Sequence, residues 1–261
     1  MSKIIFFDVD GTIWDDDRFI PESTKKAFEM LHKNGHLLIM CTGRARACVR
    51  SKELLDLGFD GIIAACGTYI EYGGKVIFEQ LVEDEMVKHV IKVLRENTMP
   101  VVLEGSKDYW IDEKGFEEDP YVDYLFEDLK ENAHVLRGYD RDIKINKFSA
   151  DIIPNTNYEN VKAELGKYYD MLEHVGNVVE FVPKGFSKAT GIKWLCDHLG
   201  IEISETYAIG DSVNDLQMLD VVGHSIVMGN ALDSVKDIAE YVTDDLHSDG
   251  LYIAMEHYKL I

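Results

Sequence analysis

Strand-like and helix-like patterns alternate at both ends of the chain, and this alternation sets the fold class. Apolar runs at Lys3–Asp8 and His36–Cys41 enclose an amphipathic helical pattern at Pro21–Asn34. Toward the C-terminus, a helical pattern at Ser187–Leu199 is followed by a strand-like run at Glu205–Ile209. Such βαβ order predicts a parallel sheet covered by helices, with ligands held at the carboxyl ends of its strands.

The middle of the chain has a different order. Three helical patterns lie there among strand-like pieces. The helical patterns span Glu83–Asn97, Phe116–Asn132 and Tyr158–Lys167. This order is typical of an α+β domain inserted into an α/β one. We therefore expect an α/β fold with a Rossmann-like parallel-sheet core from residues 1–80 plus 183–261, and an inserted α+β domain from residues 81–182.

The charge balance limits the classes of partner. The formal net charge is −21, and residues 81–182 carry about half of it. Such a charge argues against binding to nucleic acid or an anionic membrane, but it allows one small anionic substrate at a local cationic site. With no secretory signal and no C-x-x-C pair among four cysteines, we expect a cytoplasmic location. The oligomeric state is left open.

The first motif, Asp8-Val9-Asp10-Gly11-Thr12, follows the first predicted strand directly. The side chains of Asp8 and Asp10 would point to the same side of an extended segment. An acidic β-turn is one explanation, because Asp and Gly favour turns. Alternatively, one carboxylate attacks phosphorus while the other transfers a proton, since two carboxylates in different environments can hold different protonation states.

Three further motifs follow other predicted strands or begin core helices. Thr42-Gly43-Arg44, ahead of a helix predicted over Ala45–Leu57, would serve either as a helix cap or as a phosphate site. Pro183–Lys188 supplies two lysines that are either surface residues or partners of a phosphoryl group. Gly210–Asp215 clusters oxygen donors that suit Mg²⁺ or simply cap a helix. The joint occurrence of all four motifs at strand ends favours the functional interpretation.

Together these segments resemble the four signature motifs of haloacid dehalogenase-type phosphatases. The motif order, and an insert of this size between the second and third motifs, resemble the Cof-like branch with a type IIB cap. The resemblance covers essentially the whole chain. The Asp8–Thr12, Pro183–Lys188 and Gly210–Asp215 segments are specific for it, and Thr42–Arg44 less so.

The resemblance implies a Mg²⁺-dependent phosphatase acting on a small phosphorylated metabolite such as a sugar phosphate. Asp8 would form an aspartyl-phosphate, and Asp10 would protonate the leaving oxygen and then deprotonate water. Three residues would hold Mg²⁺: Asp8, Asp10 through its backbone carbonyl, and Asp211. The phosphate would be bound by Val9, Thr42, Gly43, Lys188 and Asn214. Supporting roles would fall to Thr12, Arg44 and Asp215.

Two other functions remain open at this point. A phosphomutase would share Asp8 and Asp10 but return the phosphoryl group to its substrate. A non-catalytic module would bind a phosphometabolite without turnover, although pure binding does not need the carboxylate pair.

We expect the inserted domain to act as a cap that sets substrate specificity. It contains polar candidates for substrate contact, which also fit a solvated strand face, and aromatic candidates, which also fit a core. The polar candidates are Arg141, Lys144 and Lys147, and the aromatic ones are Tyr109, Trp110 and Tyr121.

Overall fold

The protein, analysed as a computed structural model, is described for residues 2–116, 120–139, 142–174 and 176–261. It divides into two compact units. The core unit comprises Met1–Gly43, Arg50–Phe78 and Ser187–Ile261. The cap unit comprises Arg44–Val49 and Glu79–Phe186. Within the described ranges, no helix is both long enough and apolar enough to cross a lipid bilayer.

The strands are numbered along the chain. They are β1 Ile4–Phe7, β2 Leu37–Cys41, β3 Gly61–Ala64, β4 Tyr69–Tyr72, β5 Lys75–Glu79, β6 Val101–Glu104, β7 Tyr109–Asp112, β8 Ala133–Leu136, β9 Lys147–Asp151, β10 Tyr169–Glu173, β11 Val178–Pro183, β12 Thr206–Gly210, β13 His224–Val227 and β14 Tyr241–Val242. The α-helices are α1 Glu22–Lys33, α2 Lys52–Leu55, α3 Asp84–Glu96, α4 Pro120–Leu129, α5 Tyr158–Leu165, α6 Lys188–Leu199, α7 Leu216–Val221, α8 Asp233–Lys236 and α9 Gly250–His257.

The core unit is built on one sheet whose described strands run in the order β14-β13-β12-β1-β2-β3-β4-β5. Strands β14 to β3 are parallel to their neighbours, and β3 pairs with β4 antiparallel. The central β1, with sequence Ile-Ile-Phe-Phe, is buried along its whole length. An unbroken apolar strand of this kind is expected where helices cover both faces of a parallel sheet. This confirms the predicted α/β, Rossmann-like fold class.

The cap unit has its own sheet, with described strands in the order β10-β11-β9-β6-β7-β8. All neighbouring pairs are antiparallel except β7 with β8. One face packs on α3 and α5 through a buried cluster that includes Val90, Leu94 and Leu165 from the helices and Phe148 and Phe181 from the sheet. This is the α+β order that the sequence predicts.

The helix predicted over Ala45–Leu57 is wrong. The chain instead forms a short 3₁₀ helix at Arg46–Cys48 and a separate helix α2. Ser51 caps α2, because its side chain accepts a hydrogen bond from the backbone N–H of Leu54. A cap at this position begins a new helix rather than continuing an old one. The predicted helix at Phe116–Asn132 is found only as α4 and a following 3₁₀ turn, since residues 117–119 lie outside the described ranges.

Candidate active site

The candidate active site lies at the carboxyl ends of adjacent parallel strands of the core sheet. Asp8 directly follows β1, Thr42 follows β2, and Asp211 follows β12. Because β1 pairs with both β2 and β12, the three segments emerge side by side at one edge. This is the edge at which open α/β sheets bind their ligands.

The loop after β1 is held in a tight backbone conformation. The N–H groups of Thr12, Ile13 and Trp14 all point to the carbonyl of Val9, and the N–H of Gly11 donates to the carbonyl of Trp14. Gly11 has a φ of +81°, and a Cβ atom there would lie 2.2 Å from a carboxylate oxygen of Asp211. Glycine is therefore required for the β1 loop to approach the β12 loop this closely.

Lys188 is the cation at the centre of the site. It is the first residue of α6, which Ser187 and Thr190 begin with a capping box. Its ammonium group donates to Asp8 at 2.5 Å, to Asp215 at 2.6 Å and to the side-chain oxygen of Asn214 at 3.1 Å. The lysine is almost fully buried, which a charged group tolerates only when paired in this way.

Asp215 organises the loop after β12. One of its carboxylate oxygens accepts hydrogen bonds from the backbone N–H groups of Asp211 and Ser212 at 3.1 Å each, while the other accepts from Lys188. The Ser212 hydroxyl donates in turn to the side-chain oxygen of Asn214 at 2.7 Å. Asp215 therefore fixes the position of Asp211 and Lys188 together.

Carboxylates outnumber cations in this cluster, and the pKa values reflect the imbalance. Burial and the neighbouring Asp215 raise the pKa of the Asp8 carboxyl well above its ordinary range. Burial and Asp215 also raise the pKa of Asp211 to about 7, although a hydrogen bond from Thr12 at 3.1 Å acts in the opposite direction. Burial opposes the charge of Lys188, but Asp215 and Asp8 outweigh it and raise the pKa of its ammonium group.

The same cluster has the donor set of a site for a divalent cation. Asp8, Asp211 and Asp215 each offer a carboxylate oxygen, and these three oxygens lie within 4.8 Å of one another. An all-oxygen, anion-rich donor set suits a hard cation such as Mg²⁺. The raised pKa values of Asp8 and Asp211 show that negative charge on these carboxylates is unfavourable in the cluster, and a bound cation would offset it.

The other residues singled out from the sequence are distributed as follows. Thr42 is buried, and its backbone N–H donates to the carbonyl of Ile63 at 2.9 Å. Gly43 ends the first segment of the core unit, whereas Arg44 begins the part of the chain assigned to the cap unit. Of the two lysines in the third motif, Lys184 is exposed.

The model of the family described as haloacid dehalogenase-like hydrolase matches residues 5–255. The chain belongs to this family. The "Putative phosphatase YkrA" of Bacillus subtilis (strain 168) is 32% identical, with 100% of this chain and 99% of YkrA covered. From the same organism, 5-amino-6-(5-phospho-D-ribitylamino)uracil phosphatase YwtE is 27% identical, with 95% of each chain covered.

A solved structure of similar fold points to the same activity. BT4131, described as a HAD subclass IIB sugar phosphatase, superposes with a TM-score of 0.81 at 26% identity, covering 100% of both chains. The family match and these relatives identify this haloacid dehalogenase-like hydrolase as a phosphoric monoester hydrolase. The family also generally uses a divalent metal, which agrees with the acidic cluster.

In the cap unit of this hydrolase, Lys147 is not on a solvated strand face. It is buried and contacts Glu104 at 2.9 Å and Glu180 at 2.8 Å. Tyr109 donates its hydroxyl to Glu104 at 3.0 Å, and His174 lies 3.2 Å from Glu180. Burial disfavours the charge of Glu180, but Lys147 and His174 outweigh it and lower the pKa of this carboxyl.

The remaining cap candidates differ in their surroundings. Lys144 is exposed and pairs with Asp84 at 3.1 Å. Trp110 is half-buried, and Tyr121 is exposed. Arg141 lies outside the described residues.

Proposed function

We propose that this phosphatase hydrolyses a phosphate monoester of a small polyhydroxylated metabolite, using Mg²⁺ and an aspartyl-phosphate formed on Asp8. One observation carries the proposal. The buried carboxylate of Asp8 lies 2.5 Å from the ammonium group of Lys188, in a cluster whose carboxylates exceed its cations. A buried, oriented carboxylate beside a cation suits attack on a phosphoryl group, which itself brings negative charge.

In the first step, an oxygen of Asp8 attacks phosphorus and the bond from phosphorus to the leaving oxygen breaks. Asp10 gives its proton to that oxygen, so an alcohol departs. Lys188 offsets negative charge on Asp8 and on the phosphoryl oxygens. Thr42, Gly43, Val9 and Asn214 would bind those oxygens by hydrogen bonds.

In the second step, water attacks phosphorus and the bond between phosphorus and Asp8 breaks. Asp10 takes the proton that the water loses, which restores both carboxyl groups to their starting states. Asp10 is suited to this exchange because it is exposed, whereas Asp8 is buried. Such a difference in environment allows two nearby carboxyl groups to divide the roles of nucleophile and acid.

Mg²⁺, when bound, would neutralise phosphoryl charge and help to align the substrate with Asp8. Asp8 and Asp211 would hold it through carboxylate oxygens, and Asp10 through its backbone carbonyl. Asp215 contributes to the acidic cluster, but its oxygens already accept bonds from Lys188 and from the Asp211 and Ser212 N–H groups. We therefore assign it to orienting the ligands.

Two relatives support the proposed substrate class. YwtE is named for a phosphate on a ribityl chain, and BT4131 is described as a sugar phosphatase. Both substrates carry phosphate on a polyhydroxylated carbon chain. We propose that this chain acts on the same chemical class.

The test is a panel of sugar phosphates, polyol phosphates and 5-amino-6-(5-phospho-D-ribitylamino)uracil, assayed for phosphate release with Mg²⁺ and with EDTA. We expect Mg²⁺-dependent release from at least one member. Quenching a single turnover with borohydride should convert Asp8 to homoserine, detectable by peptide mass spectrometry, because borohydride reduces acyl phosphates. Isomerised product with little free phosphate would overturn the hydrolase assignment, and a modified residue other than Asp8 would overturn the nucleophile.

A further inference from the structure

We infer that Trp14 is a positioning residue for Asp10, and that its indole N–H determines which carboxylate oxygen of Asp10 carries the transferable proton. This inference rests on the proposed function, because it assigns a role within the proton transfer that Asp10 performs there. It adds a residue that none of the four sequence motifs contains.

The direct observation is a hydrogen bond within one loop. The indole Nε1–H of Trp14 donates to Oδ1 of Asp10 at 2.7 Å. This is a short distance for an N–H···O bond, as expected when the acceptor is a carboxylate. An indole nitrogen is only a donor, so the contact persists whether Asp10 is ionised or carries its proton on the other oxygen.

The backbone makes this contact rigid. Asp10 and Trp14 form an isolated β-bridge, and the N–H of Gly11 between them donates to the carbonyl of Trp14 at 2.8 Å. The N–H of Trp14 is itself bonded to the carbonyl of Val9 at 3.2 Å. The distance between the indole and the carboxylate is therefore set by main-chain bonds as well as by side-chain rotamers.

The environment of the indole holds it in place. Trp14 is 2% exposed, although the Asp10 that it contacts is an exposed residue. The guanidinium carbon of Arg18 lies 5.3 Å from the centroid of the indole ring. This cation–π contact covers the ring with positive charge next to the carboxylate.

The chemical consequence concerns the carboxylate oxygen of Asp10 that carries the proton. Because Oδ1 accepts the indole N–H, a protonated Asp10 carries its proton on Oδ2. In the first step that proton moves from Oδ2 to the leaving oxygen as the phosphorus–oxygen bond breaks. In the second step Oδ2 receives a proton from the attacking water. Without the indole N–H, the carboxyl group can rotate and present either oxygen, so fewer encounters are productive.

The test compares leaving groups in Trp14→Phe. An alkoxide leaving group needs the proton from Asp10, whereas p-nitrophenolate is stable enough to leave without it. The measured quantity is kcat/KM, which covers the steps up to transfer of the phosphoryl group to Asp8. We expect Trp14→Phe to lower kcat/KM roughly 10–100-fold for a sugar phosphate, a part of the about 10²–10⁴-fold that general acid catalysis supplies, and less than about 3-fold for p-nitrophenyl phosphate.

Two further variants serve as controls for this result. Trp194→Phe makes the same change in the core unit, where Trp194 stacks on His198 at 5.1 Å, and should lower kcat/KM equally little for both substrates. Asp10→Asn removes the acid itself and should show the same dependence on leaving group as Trp14→Phe, but a larger one. Should Trp14→Phe fail to fold, replacing Trp14 with benzothienylalanine keeps the ring volume and removes only the N–H.

The outcomes separate the two claims. If the unchanged protein releases no phosphate from any ester, the proposed function is refuted. Phosphatase activity in the unchanged protein, with equal losses for both leaving groups in Trp14→Phe, would overturn the role of Trp14 and leave the proposed function intact. A loss confined to the sugar phosphate, with an unchanged melting temperature in the benzothienylalanine protein, would support the inference.

Discussion

Among the described residues, two lysines are buried, each between two carboxylates, and their surroundings differ. Lys188 in the core unit contacts Asp8 and Asp215. Lys147 in the cap unit contacts Glu104 and Glu180. Both side chains are at most 5% exposed, so burial and ion pairing alone do not tell a functional cluster from a structural one.

The difference lies in how the carboxylates are satisfied. Around Lys147, Glu104 accepts a hydrogen bond from a tyrosine hydroxyl and Glu180 has a histidine beside it, and the pKa of Glu180 is lowered. Around Lys188, a further carboxylate, Asp211, joins the cluster, and the pKa values of Asp8 and Asp211 are raised. A cluster that still lacks positive charge is the one suited to a cation and a phosphoryl group.

The largest expected difference between the clusters is in activity. Asp8→Asn removes the nucleophile and should lower kcat for phosphate release by at least about 10³-fold, whereas Glu180→Gln should lower it by less than about 3-fold, because Glu180 contacts no reacting group in the proposed mechanism. Phosphate release with Mg²⁺ measures both. Comparable losses in the two variants would show that the cap cluster takes part in catalysis.

Lys147→Met should cause the largest loss of stability. The change leaves Glu104 and Glu180 buried without their shared cation, and breaking a buried ion pair from one side costs about 3–5 kcal/mol. The free energy of unfolding in urea measures this cost. The matched control is Lys144→Met, an exposed lysine of the same unit, which should be close to neutral. A neutral Lys147→Met would mean that the two glutamates take up protons or solvent instead.

Mg²⁺ should stabilise the core cluster in a manner that depends on pH. Since the pKa of Asp211 is raised to about 7, the metal-free folded state holds a proton that the unfolded chain has released above about pH 4. The unfolding free energy of the metal-free protein therefore falls as pH rises from about 4 to 7. Mg²⁺ competes with that proton, so its effect on stability should grow as pH rises through 7.

At a Mg²⁺ concentration of 100 times Kd, the stabilisation is about 2.7 kcal/mol. Thermal unfolding with and without Mg²⁺ at several pH values measures it. Asp211→Asn should abolish most of the Mg²⁺ effect, and Lys147→Met should preserve it. Equal stabilisation at pH 5 and pH 8 would contradict competition between the metal and the proton.

The smallest expected effect concerns Glu180 in acid. The pKa of Glu180 is lowered in the folded state, so the unfolded chain binds more protons than the folded one in acid. The contribution of Glu180 to the free energy of unfolding is therefore present above about pH 4 and lost as pH falls further. Glu180→Gln should be less stable at pH 7 by about 1–3 kcal/mol, and this gap should narrow in acid. The exposed Glu159, changed to Gln, should show no such trend.

Much of the fold could be predicted from the sequence, because buried parallel strands are continuous apolar runs. The apolar runs at Lys3–Asp8 and His36–Cys41 contain the observed strands β1 and β2. The strands β8 and β10 were missed: they lie at the two edges of the cap sheet, where pairing rather than an apolar pattern makes the strand. The failed helix at Ala45–Leu57 reflects tertiary packing, since Ala47 and Cys48 are buried within the cap unit.

The two lysine clusters were predictable from the sequence to different degrees. In the core, the motifs follow strand ends, and the parallel order of β1, β2 and β12 is enough to bring them side by side. In the cap, the contacts of Lys147 depend on the register that sets it opposite Glu104, which no local pattern gives. The bond between Trp14 and Asp10 depends in the same way on the conformation of one loop.

The central position of β1 has a consequence for synthesis of the chain. Strand β1 pairs with β2 on one side and with β12 on the other, yet about 160 residues separate β2 from β12. At roughly 5–20 residues per second, a ribosome needs about 10–30 s to make that stretch. During this time the Ile-Ile-Phe-Phe strand has an open edge that other chains can pair with. The nascent protein is therefore most prone to aggregate before β12 at Thr206–Gly210 emerges.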